Sequence, residues 1–184
     1  TMEYGLTKKE PISMCLDSKL HQELDAMQQL AANPSIDMPL KIHECRKHIK
    51  KTRSVVRMIK PAINKDTWKM LNPALRNSGK ALRELRELDA HLECIANLME
   101  KTDKTTGKDS LQAIYTHLNK MYAYDLTQSE DALYKSITSA VSAQLLLKEL
   151  NYKAITIDIL LKSISLSYRR YRRLCRSLNT NSPT

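Results

Sequence analysis

The sequence predicts an all-α fold, an antiparallel helical bundle of about six helices with a basic groove. Three observations carry this. Glycine occurs only at Gly5, Gly79 and Gly107, which leaves little material for β-hairpin turns or phosphate-cradling loops. The chain has no Phe and a single Trp, so Leu, Ile, Met and Ala must fill the interior, as helix bundles commonly arrange. Apolar residues also recur at steps of three and four, with no strand-like alternation of useful length and no tandem repeat. At 184 residues with 42% apolar content, one domain can bury a real core.

Residues 1–12 are polar and read as a mobile arm, ahead of a domain over 13–178 and a tail at 179–184. A first helix runs from about Leu16 to Ala32, with Leu16, Leu20, Leu24 and Met27 inward, and Asn33-Pro34 ends it. Met38-Pro39 opens a second, since proline suits a first helical turn, and Pro61 stops it. A third, capped by Asp66 or Thr67, extends to Lys101 and buries Leu75, Ser78, Leu82, Leu85, Leu92 and Ile95. Thr102 to Lys108 reads as a loop, and Asp109 or Ser110 caps a fourth helix to about Tyr124. The fifth starts at Thr127 or Ser129 and reaches Leu150. The sixth, about Tyr152 to Leu178, begins apolar and turns strongly basic.

The second helix organises the chain. Ile42, Cys45, Ile49, Thr52, Val56 and Ile59 step along one face, and His43, Arg46, Lys50, Arg53, Arg57 and Lys60 follow with the same spacing one residue out of phase. At about 100° per residue the cations form one stripe beside the buried one, and Lys47 and Lys51 widen it. Glu44 is the one acid in this segment and pairs locally with Lys47 or His48. Like charges at i,i+4 repel by a few tenths of a kcal/mol per pair, so an uncompensated stripe implies an external anion. Two further segments are rich in cations: Arg76, Lys80, Arg83 and Arg86, and the run Arg169-Arg170-Tyr171-Arg172-Arg173. Their arginines favour phosphate, because the guanidinium fork meets its oxygens in pairs. A net charge of +10 points the same way, to nucleic acid, anionic lipid or phosphate chains.

Reaction chemistry does not stand out. His43 and His48 are five residues apart and leave one face, unlike the zincin spacing, and His91 with Cys94 lacks a second ligand pair. No catalytic residue, metal or cofactor is therefore expected. Cys15, Cys45, Cys94 and Cys175 are scattered singly and read as reduced residues of a cytosolic protein. No apolar run has the roughly 18 residues of a membrane span.

The run His43-Glu44-Cys45-Arg46-Lys47-His48-Ile49-Lys50-Lys51-Thr52-Arg53 closely resembles the HxxRKxxKRxR pattern of the CHAD family, the conserved histidine α-helical domain. The following ALRNSGKALRELRELDAHLE resembles that family's next helix, with Glu87 after Arg86 where the family has aspartate. Tyr168-Arg169-Arg170-Tyr171-Arg172-Arg173 resembles its YRRGRR block, with Tyr171 in place of glycine. The resemblance implies two related helical bundles facing one another across a basic channel, and binding of inorganic polyphosphate. It makes His43, Arg46, Lys47, Lys50, Arg53, Arg57, Arg76, Arg86, Arg169, Arg170, Arg172 and Arg173 phosphate-contacting candidates; Lys80 and Arg83 join them from the charge pattern. A second histidine-bearing block is missing. The chain is then a truncated domain, a half-domain that completes its channel as a homodimer, or a domain without the second wall.

The expectation is a non-catalytic, cytoplasmic polyphosphate-binding domain, associated with polyphosphate granules. Nucleic-acid binding is the alternative, disfavoured by the scarcity of aromatics near the stripe. A regulatory domain of a polyphosphate- or triphosphate-processing system is another, and no membrane association is expected.

Overall fold

The computed structural model describes residues 10–102, 105–124 and 126–180, with side chains left out at 105–106, 121–124, 126–127 and 178–180. Its elements are α1 (Ile12–Ala32), α2 (Met38–Met58), a 3₁₀ turn (Lys60–Ala62), α3 (Lys65–Ala81), α4 (Arg83–Lys101), α5 (Thr105–Tyr124), α6 (Leu126–Lys148), a second 3₁₀ turn (Tyr152–Ala154) and α7 (Ile157–Thr180). The described residues contain no strand and no helix long and apolar enough to cross a membrane.

The all-α expectation holds, and several boundaries move. The expected third helix is two. Leu82, with φ −96° and ψ 5°, ends α3 and caps α4, and its carbonyl accepts the Arg86 N–H at 3.3 Å. Leu75, Ser78, Leu82, Leu85 and Leu92 are all buried, so the apolar spacing continues across the break and hides it. Asn64, not Asp66 or Thr67, caps α3: its side chain accepts the Thr67 N–H at 2.8 Å. Helix α1 begins at Ile12, four residues before Leu16, on the Pro11 carbonyl that accepts from Met14 and Cys15; residues 1–9 of the expected arm lie outside the described residues. Helix α5 starts at Thr105, inside the expected loop, and α7 starts at Ile157 after the 3₁₀ turn and includes 179–180.

The core lies among α1, α2, α3 and α6. Leu20, Leu24 and Met27 of α1 meet Ile42, Cys45, Ile49 and Val56 of α2, each 1% exposed or less. Full burial of one such aliphatic side chain contributes about 1.5–3 kcal/mol. The most extensive contact joins α3 to α6 through small residues. There Ser136 Oγ donates to the Ser78 carbonyl at 2.9 Å and lies 3.1 Å from Ser78 Oγ. At the α1–α6 seam Gln28 donates to Gln144 at 2.7 Å, and Gln144 donates to Asp25 at 2.6 Å. Helices α4 and α5 pair mainly with each other. Helix α7 lies against α2 and the first 3₁₀ turn.

Candidate anion site

Helix α2 is held in rotation by its apolar face. Asp37 caps it, accepting the Leu40 N–H at 3.3 Å, and Cys45 Sγ contacts the Met27 carbonyl at 3.7 Å. Glu23, a buried carboxylate of α1, bonds His48 Nδ1 at 2.7 Å, with Lys51 at 3.7 Å. His48 therefore serves the α1–α2 interface, and Glu44 turns to Lys47 at 2.8 Å instead. With those side chains engaged, Arg46, Lys50 and Arg53 face α3.

The approach of α3 is close because of Gly79. A Cβ there would lie 3.3 Å from Ile49 Cγ2, so even an alanine would require the Ile49 side chain to give by a few tenths of an ångström. The carbonyls of a helix's last turn lack partners within the helix. The one at Gly79 accepts from Arg46 Nη1 at 2.9 Å, tying the stripe to the end of α3.

Between the helices runs a groove of about 290 Å³, lined by Arg46, Ile49, Lys50, Arg53, Arg76, Gly79, Lys80 and Arg83. None of these residues is acidic. Arg53 Nε is buried and has no hydrogen-bond partner. Burial, and then the Arg57 and Arg76 cations, disfavour the charged form of Arg53. Burial does the same to Arg46; Glu87 opposes it, and Arg83 and Arg86 add to it. Both guanidiniums thus stand where an anion would relieve them. The counter-charge at the groove's end is Glu87, which accepts from Arg83 Nε at 2.7 Å.

The remaining sequence candidates lie elsewhere. His43 stands 3.7 Å from Glu44 and Lys47 is paired with the same carboxylate. Arg57 is exposed beyond Arg53. Arg86 is engaged within α4 by Asp89 at 2.8 Å and Glu93 at 3.2 Å. Arg169, Arg170, Arg172 and Arg173 are exposed on α7 and do not line the groove; Arg172 stacks over the Tyr168 ring, 5.9 Å from its centroid. Lys60 lies over Trp68 at 5.0 Å. Sequence reading missed Gly79 and Ile49 as groove residues; an isolated glycine within a helical pattern was the available signal for the first.

A larger depression of about 610 Å³ between α1 and the second 3₁₀ turn mixes Asp17 and His21 with Lys148 and Lys153. There Asp17 stands 3.4 Å from His21, and the lining, unlike that of the groove, carries both signs of charge. Among the described residues no group of three or more His, Cys, Asp or Glu side chains is placed to hold a metal ion.

Fold and site together define an all-α bundle that directs a cation-lined groove between two helices. Residues 19–182 match the CHAD domain, and the chain belongs to that family, which is associated with polyphosphate and triphosphate. No curated protein and no solved structure matches the chain.

Proposed function

We propose that this chain binds inorganic polyphosphate, or a similar linear polyanion, in the groove between α2 and α3, without catalysing a reaction on it. The observation that carries the reading is Arg53: its Nε is buried and unpartnered among Arg46, Lys50, Arg76, Lys80 and Arg83. Phosphate oxygens accept from guanidinium in charge-assisted pairs, and each phosphate neutralised releases counterions. The family's association with polyphosphate supports a chain of phosphates over an isolated anion. The groove lining contains no aromatic side chain on which a base would stack, which disfavours nucleic acid.

The test is fluorescence anisotropy of labelled long-chain polyphosphate with wild type and with Arg53→Glu/Arg76→Glu. The double variant should bind markedly more weakly, with unchanged helicity. Duplex DNA displacing the label at equal phosphate concentration would replace polyphosphate with nucleic acid as the ligand. Release of orthophosphate by the pure protein with Mg²⁺ would contradict the non-catalytic reading.

A further inference from the structure

Helix α7 presents to solvent an apolar seam that the bundle does not use. Ile157, Leu161, Ile164, Tyr168 and Tyr171 are 50–65% exposed and step by four, three, four and three, with Cys175 next. At about 100° per residue they fall within an arc of roughly 80°, narrower than the apolar face of a helix packed into a globular core and typical of a coiled-coil seam. The bundle instead takes the neighbouring arc, where Leu160 and Ser163 are buried. Several large apolar side chains in line on one exposed helix mark an interaction surface.

Charge along the seam selects the occupant. The flank away from the bundle carries Asp158, Ser165 and Arg172, seven residues apart and all exposed. We propose that α7 pairs antiparallel with α7 of a second copy of this chain. In an antiparallel pair the same flank of each helix meets, with residue numbers running in opposite directions. Setting Ile164 against Tyr168 sets Leu161 against Tyr171 and Ile157 against Cys175. The same register brings Asp158 of one copy to Arg172 of the other, twice by symmetry, and Ser165 to Ser165 at the two-fold axis. A parallel pair would crowd both copies' arginines, Arg169 to Arg173, at one end. Within the 24-residue helix the seam from Ile157 to Cys175 is about 27 Å long, and a two-fold contact is the commonest form of self-association.

The inference is independent of what the groove binds, and its test uses the full chain without polyanion. Wild type should sediment as a dimer at about 100 µM; a monomer there overturns the proposal. Leu161→Glu/Ile164→Glu should be monomeric with unchanged far-UV circular dichroism, since both positions are exposed, and a persisting dimer would place the contact elsewhere. Asp158→Arg should weaken dimerisation about tenfold, and Asp158→Arg/Arg172→Asp should restore it; a double variant no tighter than the single one contradicts the pairing. In a Cys94→Ser background, Ile157→Cys should oxidise to a covalent dimer linking positions 157 and 175. A Cys175–Cys175 link would mean a parallel pair.

Discussion

Arg46 Nη1 lies 2.9 Å from the carbonyl oxygen of Gly79, whereas the Nε of Arg53, two helical turns further along the stripe, has no partner. One cation of the groove is thus part of the fold, and the other is held without compensation. Arg46→Ala should lower stability by about 1–2 kcal/mol, the range for a hydrogen bond from a charged donor in a half-buried place. Arg53→Ala should leave stability unchanged or slightly raised, because it removes a guanidinium repelled by Arg57 and Arg76. Both should weaken polyanion binding. Urea unfolding of the two variants checks the contrast, and equal losses would contradict it.

The α3–α6 contact depends on small side chains. Ser136 donates to the Ser78 carbonyl and is fully buried. Ser136→Ala should cost about 1 kcal/mol for the lost bond. Ser136→Leu should cost roughly 3 kcal/mol or more, since the extra carbons have no room between closely packed helices. Thermal unfolding of the pair gives the order; a leucine variant as stable as the alanine one would mean the helices separate easily.

Burial pushes the Cys45 thiol up to about 12, from a reference near 9.0. In the unfolded chain this thiol ionises near pH 9 while the folded chain keeps its proton. The unfolded state then binds fewer protons, so stability falls as pH rises between about 9 and 12, by up to 1.4 kcal/mol per pH unit. Cys45→Ala should remove this component of the alkaline loss, read as a shallower decline of urea-unfolding free energy above pH 9. At neutral pH a thiol reagent should label exposed Cys94 and leave buried Cys45 unreacted in the folded protein.

How far the sequence could be read follows from which signals are periodic. Ile42 to Ile59 repeats without interruption, and all six residues expected inward are buried, five in α2 and Ile59 at its C-cap. The break at Leu82 is masked because Leu85 and Leu92 stay in phase with Leu75, and the nearest breaker, Gly79, lies three residues earlier inside α3. The start of α5 was obscured by Thr105, Thr106 and Gly107, residues of low helix propensity. For the site, the stripe is visible from spacing alone, but which cations converge is a tertiary fact. Arg76, Lys80 and Arg83 join α2 because Gly79 admits close packing, whereas Arg86 is drawn off by Asp89 and Glu93. The seam of α7 reads as core in sequence: Ile157, Leu161 and Ile164 have core-like spacing yet stand exposed.

The central claim is that the α2–α3 groove binds a polyanion by neutralising successive phosphates. It is tested most directly by the salt dependence of the affinity for long-chain polyphosphate, measured between 50 and 200 mM NaCl. If about three phosphates are engaged, at roughly 0.9 counterion per contact by analogy with duplex DNA, Kd should rise more than tenfold over that range. The slope should flatten in Arg53→Glu/Arg76→Glu. An affinity unchanged across this range, or a slope the double variant leaves intact, would contradict the account.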